Sequence, residues 1–206
     1  PSEALPPLRA HPLPPTLARW HSPDASGDYF DQIRPTPLGY LVWFEFPVKV
    51  YIEPASSGVT PDRSQVWVQL VQQAVREWSE YLPLTLAATP AAADIQIWRT
   101  TPSLGRGRAR SAETRYEFFV RRSDHAPPKI VQRLTITLRP GLADVQILAA
   151  ARHELGHALG IWGHSPLETD ALYYSQVRTP PPVSSRDVRT LRRIYEQPTR
   201  LGWPVP

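Results

Sequence analysis

Nine of the chain's 25 prolines fall within its first 37 residues, and this crowding decides where a fold can begin. Proline fixes φ and lacks the backbone N–H. Pro1, Pro6, Pro7, Pro12, Pro14, Pro15, Pro23, Pro35 and Pro37 therefore leave no room for a helix and remove many sheet donors. Residues 1–40 are expected to form an extended arm, pinned to the body by Trp20, Tyr29 and Phe30. The folded domain then has to come from residues 41–206. With 206 residues, 41% of them hydrophobic, and with 7 Trp, 8 Tyr and 5 Phe, the chain can bury a core of domain size. Cysteine is absent, which excludes disulfides, thiolate metal sites and a cysteine nucleophile. The apolar runs are far below the ~18 residues a membrane helix needs, and no leader peptide is recognisable at the start.

The net charge is +4, and the basic residues are almost all arginine. Between Arg99 and Arg139 ten basic residues stand against Glu113, Glu117 and Asp124, a local positive field. No nucleic-acid motif accompanies it, so a solvated face of an arginine-rich protein is the expected reading, with no nucleic acid and no membrane as partner.

Beyond residue 40 the pattern alternates between periods. Val48, Val50 and Ile52 alternate with Lys49, Tyr51 and Glu53, the period of a half-buried strand. A helix is expected from about Pro61 to Tyr81, with Thr60 as cap, Pro61 in the first turn and Asp62 complementing the dipole. Along it Trp67, Leu70, Val71, Ala74, Val75 and Trp78 form one apolar stripe. Short strands should follow over 84–88 and 94–98, another within 108–120 and a fourth over 130–138, ended by Pro140-Gly141. Strand, long helix and then several strands predict an α+β fold, one sheet backed by helices.

The chemistry concentrates in what comes next. Residues 144–160 are rich in Ala and Leu, with Asp144 at the N-terminal end and Gly160 placed to stop a helix in a left-handed conformation. Inside lies His153-Glu154-Leu-Gly-His157. Residues four apart share a helix face, so the two imidazoles can converge on one Zn²⁺. Glu154 falls beside the metal, where it can take a proton from water. Three of the six histidines lie between positions 153 and 164. A catalytic zinc needs three protein ligands, and Gly160 lets the chain reverse so that His164 can return to the metal. A downstream carboxylate such as Glu196 is the rival third ligand.

The run His153-Glu-Leu-Gly-His157-Ala-Leu-Gly160 followed by His164-Ser165 resembles the zinc-binding consensus of the metzincin metallopeptidases, within them the matrixin-like branch. Ala93-Asp94-Ile95 is similar to that branch's strand after the first helix. Asp170-Ala171-Leu172-Tyr173-Tyr174 is similar to its Met-turn, and Ser185 through Tyr195 to its closing helix. The likeness covers roughly 45–197. It departs in two places: His164 follows His157 by seven residues instead of six, and Tyr173 stands where the turn's methionine would lie beneath the metal. Either Tyr173 packs under the site, or the turn is rearranged and Tyr174 or Leu172 does so.

The resemblance implies a mixed, twisted sheet of about five strands, backed by the long helix and the zinc-binding helix, with a smaller C-terminal subdomain. It also implies a monomeric zinc endopeptidase that binds Zn²⁺ through His153, His157 and His164, uses Glu154 as general base, cleaves protein or peptide substrates, and works in an extracellular or periplasmic location. The alternative is a metal-bearing but inactive relative acting as a binding or inhibitory protein. Asp24, Asp28 or Asp31 in the arm offers a possible carboxylate latch on the metal; a structural arm wrapped around the body is the simpler expectation.

Overall fold

The computed structural model describes residues 5–57, 63–103 and 110–206. Five strands, β1 (Val48–Ile52), β2 (Leu84–Leu86), β3 (Ile95–Trp98), β4 (Ala112–Ser123) and β5 (Ala126–Leu138), form one sheet in the order β2-β1-β3-β5-β4. The pairs β1–β2, β1–β3 and β3–β5 are parallel, while β4 returns antiparallel to β5 at the sheet's edge. Four helices accompany it: α1 (Pro15–Arg19), α2 (Arg63–Ser79), α3 (Asp144–Leu159) and α4 (Ser185–Tyr195). The fold is thus α+β with a mixed five-stranded sheet. Among the described residues no helix is long and apolar enough to cross a membrane.

The stripe on α2 and the alternation in the strands meet in one core. Trp67, Val71, Ala74 and Trp78 of α2 join Val48 and Val50 of β1, Ile95 and Ile97 of β3 and Leu134, Ile136 and Leu138 of β5. Helix α3 adds Ile147, Ala151, Leu155, Ala158 and Leu159. Helices α2 and α3 are also joined at their polar margins. Arg152 grips Glu77 through Nε at 2.5 Å and Nη2 at 2.9 Å, and Trp78 Nε1 donates to Arg152 O at 2.9 Å. The register of α3 is therefore set one residue away from His153. The expected cap of α2 at Thr60, with Pro61 and Asp62, lies outside the described residues.

Strand β5 begins earlier than its apolar run, at Ala126, although Pro127 and Pro128 follow. Prolines are tolerated there because β3 pairs with β5 only over 134–137, so the first part of β5 has a strand on one side alone. The C-terminal tail uses the other side: Gly202 N donates to Ile130 O and Val205 N to Pro128 O.

The arm departs from expectation in one respect. It does contain a helix, the single turn and a half of α1. Pro15 sits in its first turn, where a missing N–H costs nothing, and the next prolines lie outside it, so Ala18 N can donate to Pro14 O and Trp20 N to Thr16 O. Leu17, Tyr29 and Ile33 of the arm are buried in the same core as the sheet.

Candidate metal centre

Helix α3 delivers His153, Glu154 and His157 from a face set by the burial of Ala151, Leu155 and Ala158. It ends at Gly160, whose φ of +128° belongs to glycine, and whose Cα lies so close to Leu41 O that a Cβ would stand 2.6 Å from it. The chain reverses there, with Ile161 N donating to Gly156 O at 3.0 Å, and returns His164 to the helix. The nitrogens of His153, His157 and His164 all lie within 4.8 Å of one another. The six residues between the second and third histidines form this loop. Glu196, the rival ligand, is not in this cluster and instead pairs with Arg192 on α4.

The hydrogen bonds around the rings state which nitrogens are available. His153 Nδ1 lies 3.0 Å from Ala171 O, and His157 Nδ1 lies 2.7 Å from Ile161 O. A carbonyl can only accept, so each Nδ1 carries the proton and each Nε2 keeps its lone pair. Those two Nε2 atoms face each other at 3.1 Å. Burial and the neighbouring His157 push the pKa of His153 down to about 4, and burial pushes His157 down to about 4 as well. Both rings are neutral near pH 7, so no proton lies between them. Two lone pairs held face to face repel, and a cation between them relieves this. For Zn–N bonds of 2.0–2.1 Å, tetrahedral ligands sit about 3.3 Å apart, close to the observed spacing. The donor set, the separation and the carbonyl-anchored Nδ1 atoms all fit a metal ion.

Glu154 is buried next to these rings. Burial raises its pKa, opposed by a hydrogen bond from Thr114. Thr114 Oγ1, on β4, lies 2.6 Å from Glu154 Oε2 and also approaches the backbone carbonyl of Glu154 at 3.1 Å. A cleft of about 210 Å³ opens beside His153 and Glu154, with Gln146, Ala149, Ala150, Tyr173, Val177 and Pro181 among its walls. Thr114 is absent from the sequence reading, since an inward threonine on a strand looks like any other half-buried strand residue.

The turn Asp170-Ala171-Leu172-Tyr173-Tyr174 runs beneath the helix. Leu172 is fully buried, and a Cβ on Gly156 would come 2.5 Å from Leu172 Cδ2, so Leu172 packs on α3 between the two histidines in sequence. Tyr173 lines the cleft beside His153 and Glu154, its ring 4.5 Å from that of Tyr174. Two buried aspartates hold this turn. Asp170 accepts from Ser165 Oγ at 2.5 Å, Ser184 Oγ at 2.7 Å and Arg186 Nε at 3.0 Å. Asp187 Oδ2 accepts from Ala171 N at 2.9 Å and from Ser184 N at 2.8 Å, completing a capping box on α4. Ala171 thus donates to Asp187 and accepts from His153.

The arm's acids are engaged elsewhere. Asp24 bonds Ser26 and Ser185, Asp28 pairs with Arg193, and Asp31 is exposed. Of the basic stretch, Arg106 and Arg108 lie outside the described residues. Arg110 and Arg115 pair with Glu113, and Arg121 pairs with Glu45, which fits a solvated face. No family model matches this chain, and no curated protein is significantly similar to it.

Proposed function

We infer that this protein is a zinc-dependent endopeptidase with a metzincin-like, matrixin-like catalytic domain. The observation that carries this reading is the pair of neutral imidazoles whose Nε2 atoms face each other at 3.1 Å, joined by His164 and flanked by the Glu154 carboxyl group. His153, His157 and His164 would hold the ion. When bound, zinc would polarise a scissile carbonyl and lower the pKa of water toward about 7.

Every other step falls to this chain's residues. Thr114 engages Glu154 Oε2, so the carboxyl group is fixed in orientation, and Oε1 has no hydrogen-bond partner among the described residues. Glu154 takes the proton of the attacking water and passes it to the leaving amine as the C–N bond breaks. Its upward-shifted pKa suits a group that must both accept and return a proton. Strand β4 supports the same reading: it is the sheet's outer strand beside α3, and among the described residues no strand pairs with its other side, where an extended peptide could add. The cleft beyond Glu154 would then receive a substrate side chain. The resemblance alone suggests action outside the cytoplasm.

The test is cleavage of casein by zinc-loaded protein and by its Glu154→Ala variant. Cleavage by the parent and none by a variant that retains zinc is expected. Zinc binding without cleavage by either would leave a metal-bearing binding protein, and equal cleavage by both would remove Glu154 from the chemistry.

A further inference from the structure

Resting on the metal-centre reading, the contacts of the N-terminal arm carry a second conclusion. The arm is fastened to α4 by four arginines spaced along one side of the helix. Arg186 donates to Ser26 O at 2.6 Å, Arg192 to Trp20 O at 3.0 Å, Arg193 to Asp28 Oδ1 at 2.9 Å, and Arg189 to the carbonyl of Gly27. Three of these four acceptors are backbone carbonyls, so the grip fixes the path of the arm and not merely its charge. That path leads residues 29–34 to both segments that hold the metal ligands in place.

The first contact is at the turn under His153. Tyr29, 1% exposed, donates its hydroxyl to Asp187 Oδ1 at 2.5 Å. Asp187 Oδ2 receives Ala171 N, and Ala171 O receives His153 Nδ1. The sequence of bonds runs from the arm to a ligand ring through one carboxylate and one peptide unit. The second contact is at the loop carrying His164. Arg34 N donates to Trp162 O at 3.1 Å, and Gly163 packs so closely on the arm that a Cβ there would stand 2.3 Å from Gln32 O. A glycine at 163 is required by the arm's backbone.

We propose that residues 29–34 of the arm are a positioning element of the metal centre, with Tyr29 acting on His153 through Asp187 and Ala171, and the Arg34 N–H acting on His164 through Trp162. A metal ligand's affinity depends on the outer bonds that orient it, and losing one such partner typically lowers affinity 10- to 100-fold. Asp187 makes this contact sensitive. It is a buried carboxylate with three donors, and Tyr29 is the one that reaches Oδ1. Without it the charge is short of one partner in a site closed to water. The arm is then a permanent part of the domain, and not a segment whose removal would expose the site.

Two substitutions separate this from general support. Tyr29→Phe keeps the ring and removes the hydroxyl. Arg34→Pro removes the N–H together with an exposed side chain, and Ile33 before it holds the extended conformation that proline requires. Arg121→Ala is the control, since it breaks an exposed ion pair with Glu45 and touches neither the arm nor a ligand segment. The full-length chain is loaded with Co²⁺ and its d–d absorption and affinity are read by competition with a chelating dye, alongside the melting temperature. The parent should bind one equivalent with the intense bands of a four-coordinate site. Tyr29→Phe and Arg34→Pro should each weaken binding about tenfold or more and alter the bands, while Arg121→Ala binds as the parent does. Should one variant melt too early to load, the other decides. Parent-like affinity and spectra in the foldable variants overturn the proposal and leave the metal centre standing, as does an equal loss in Arg121→Ala. A parent that binds no Co²⁺ overturns both.

Discussion

The two sides of the metal centre are built by different physics. On one side the sheet, α2 and α3 meet through apolar side chains, and His153 and His157 ride on a helix that is fixed because its other face is buried. On the other side residues 160–184 contain no helix or strand, and their shape is held by polar groups: Asp170 under Ser165, Ser184 and Arg186, and Asp187 under Tyr29, Ala171 and Ser184. His164 comes from this second side. A core of aliphatic and aromatic chains loses stability in proportion to what is removed. A network around buried carboxylates loses its geometry when one partner goes, because the remaining charges must find others.

The largest effects should expose that contrast directly. Trp78→Ala empties a fully buried site in the apolar half and should cost about 3–5 kcal/mol. Asp170→Ala takes from Arg186, whose side chain is only 14% exposed, its carboxylate partner, and should cost a similar amount, about 3–5 kcal/mol. Stability alone does not tell them apart; zinc affinity of the folded protein does. Urea unfolding combined with zinc competition should find near-parental affinity in Trp78→Ala and a clear loss in Asp170→Ala. The opposite assignment would mean the polar half does not govern the site.

A smaller effect concerns acid. In the metal-free protein the folded-state pKa values of His153 and His157 lie at about 4, below the ordinary value of 6.5. The unfolded chain therefore binds more protons between pH 6.5 and 4, and stability must fall as pH falls through that window. Glu154 and Asp187, both raised by burial, act in the opposite sense and offset part of it. A net loss of a few kcal/mol corresponds to a melting temperature lower by roughly 10 °C at pH 4.5 than at pH 7 in a chain of this size. Melting in the presence of a chelator measures it. Replacing His157 by Ala should flatten the curve, and an unchanged dependence would place the titration elsewhere.

The smallest effect falls on the bond that joins α3 to the edge strand. Thr114→Val removes the hydroxyl that lowers the pKa of Glu154. Zinc content should be unchanged, and the acid limb of kcat/KM should move to higher pH with a several-fold loss at neutrality, since a general base must be deprotonated to act. An unshifted limb would mean Thr114 only packs.

The same contrast explains what was legible in the sequence. The apolar half could be read because burial imposes a period: Trp67 to Trp78 recur at helical spacing, and Val48, Val50, Ile95 and Ile97 at strand spacing. The pair His153 and His157 was readable for the same reason, being four apart on such a helix. The polar half has no period. Nothing local distinguishes Asp170 or Asp187 as buried, or marks Ala171 and Ile161 as the residues whose carbonyls orient the ligands, because the backbone does that work whatever the side chain. Leu172 is silent in the sequence for a related reason: its place against Gly156 follows from the close approach of the turn to α3. The short helix α1 is not legible from proline frequency, because a proline in the first turn leaves the later donors free.

One titration bears on all of this at once: zinc binding to the parent and to His164→Ala, by competition with a chromophoric chelator. Three imidazoles drawn from the two halves should give one equivalent in the parent and an affinity weaker by orders of magnitude in the variant, with the fold intact by circular dichroism. A parent that takes up no zinc, or a His164→Ala variant that binds as tightly as the parent, would contradict a metal centre built across both halves of the domain.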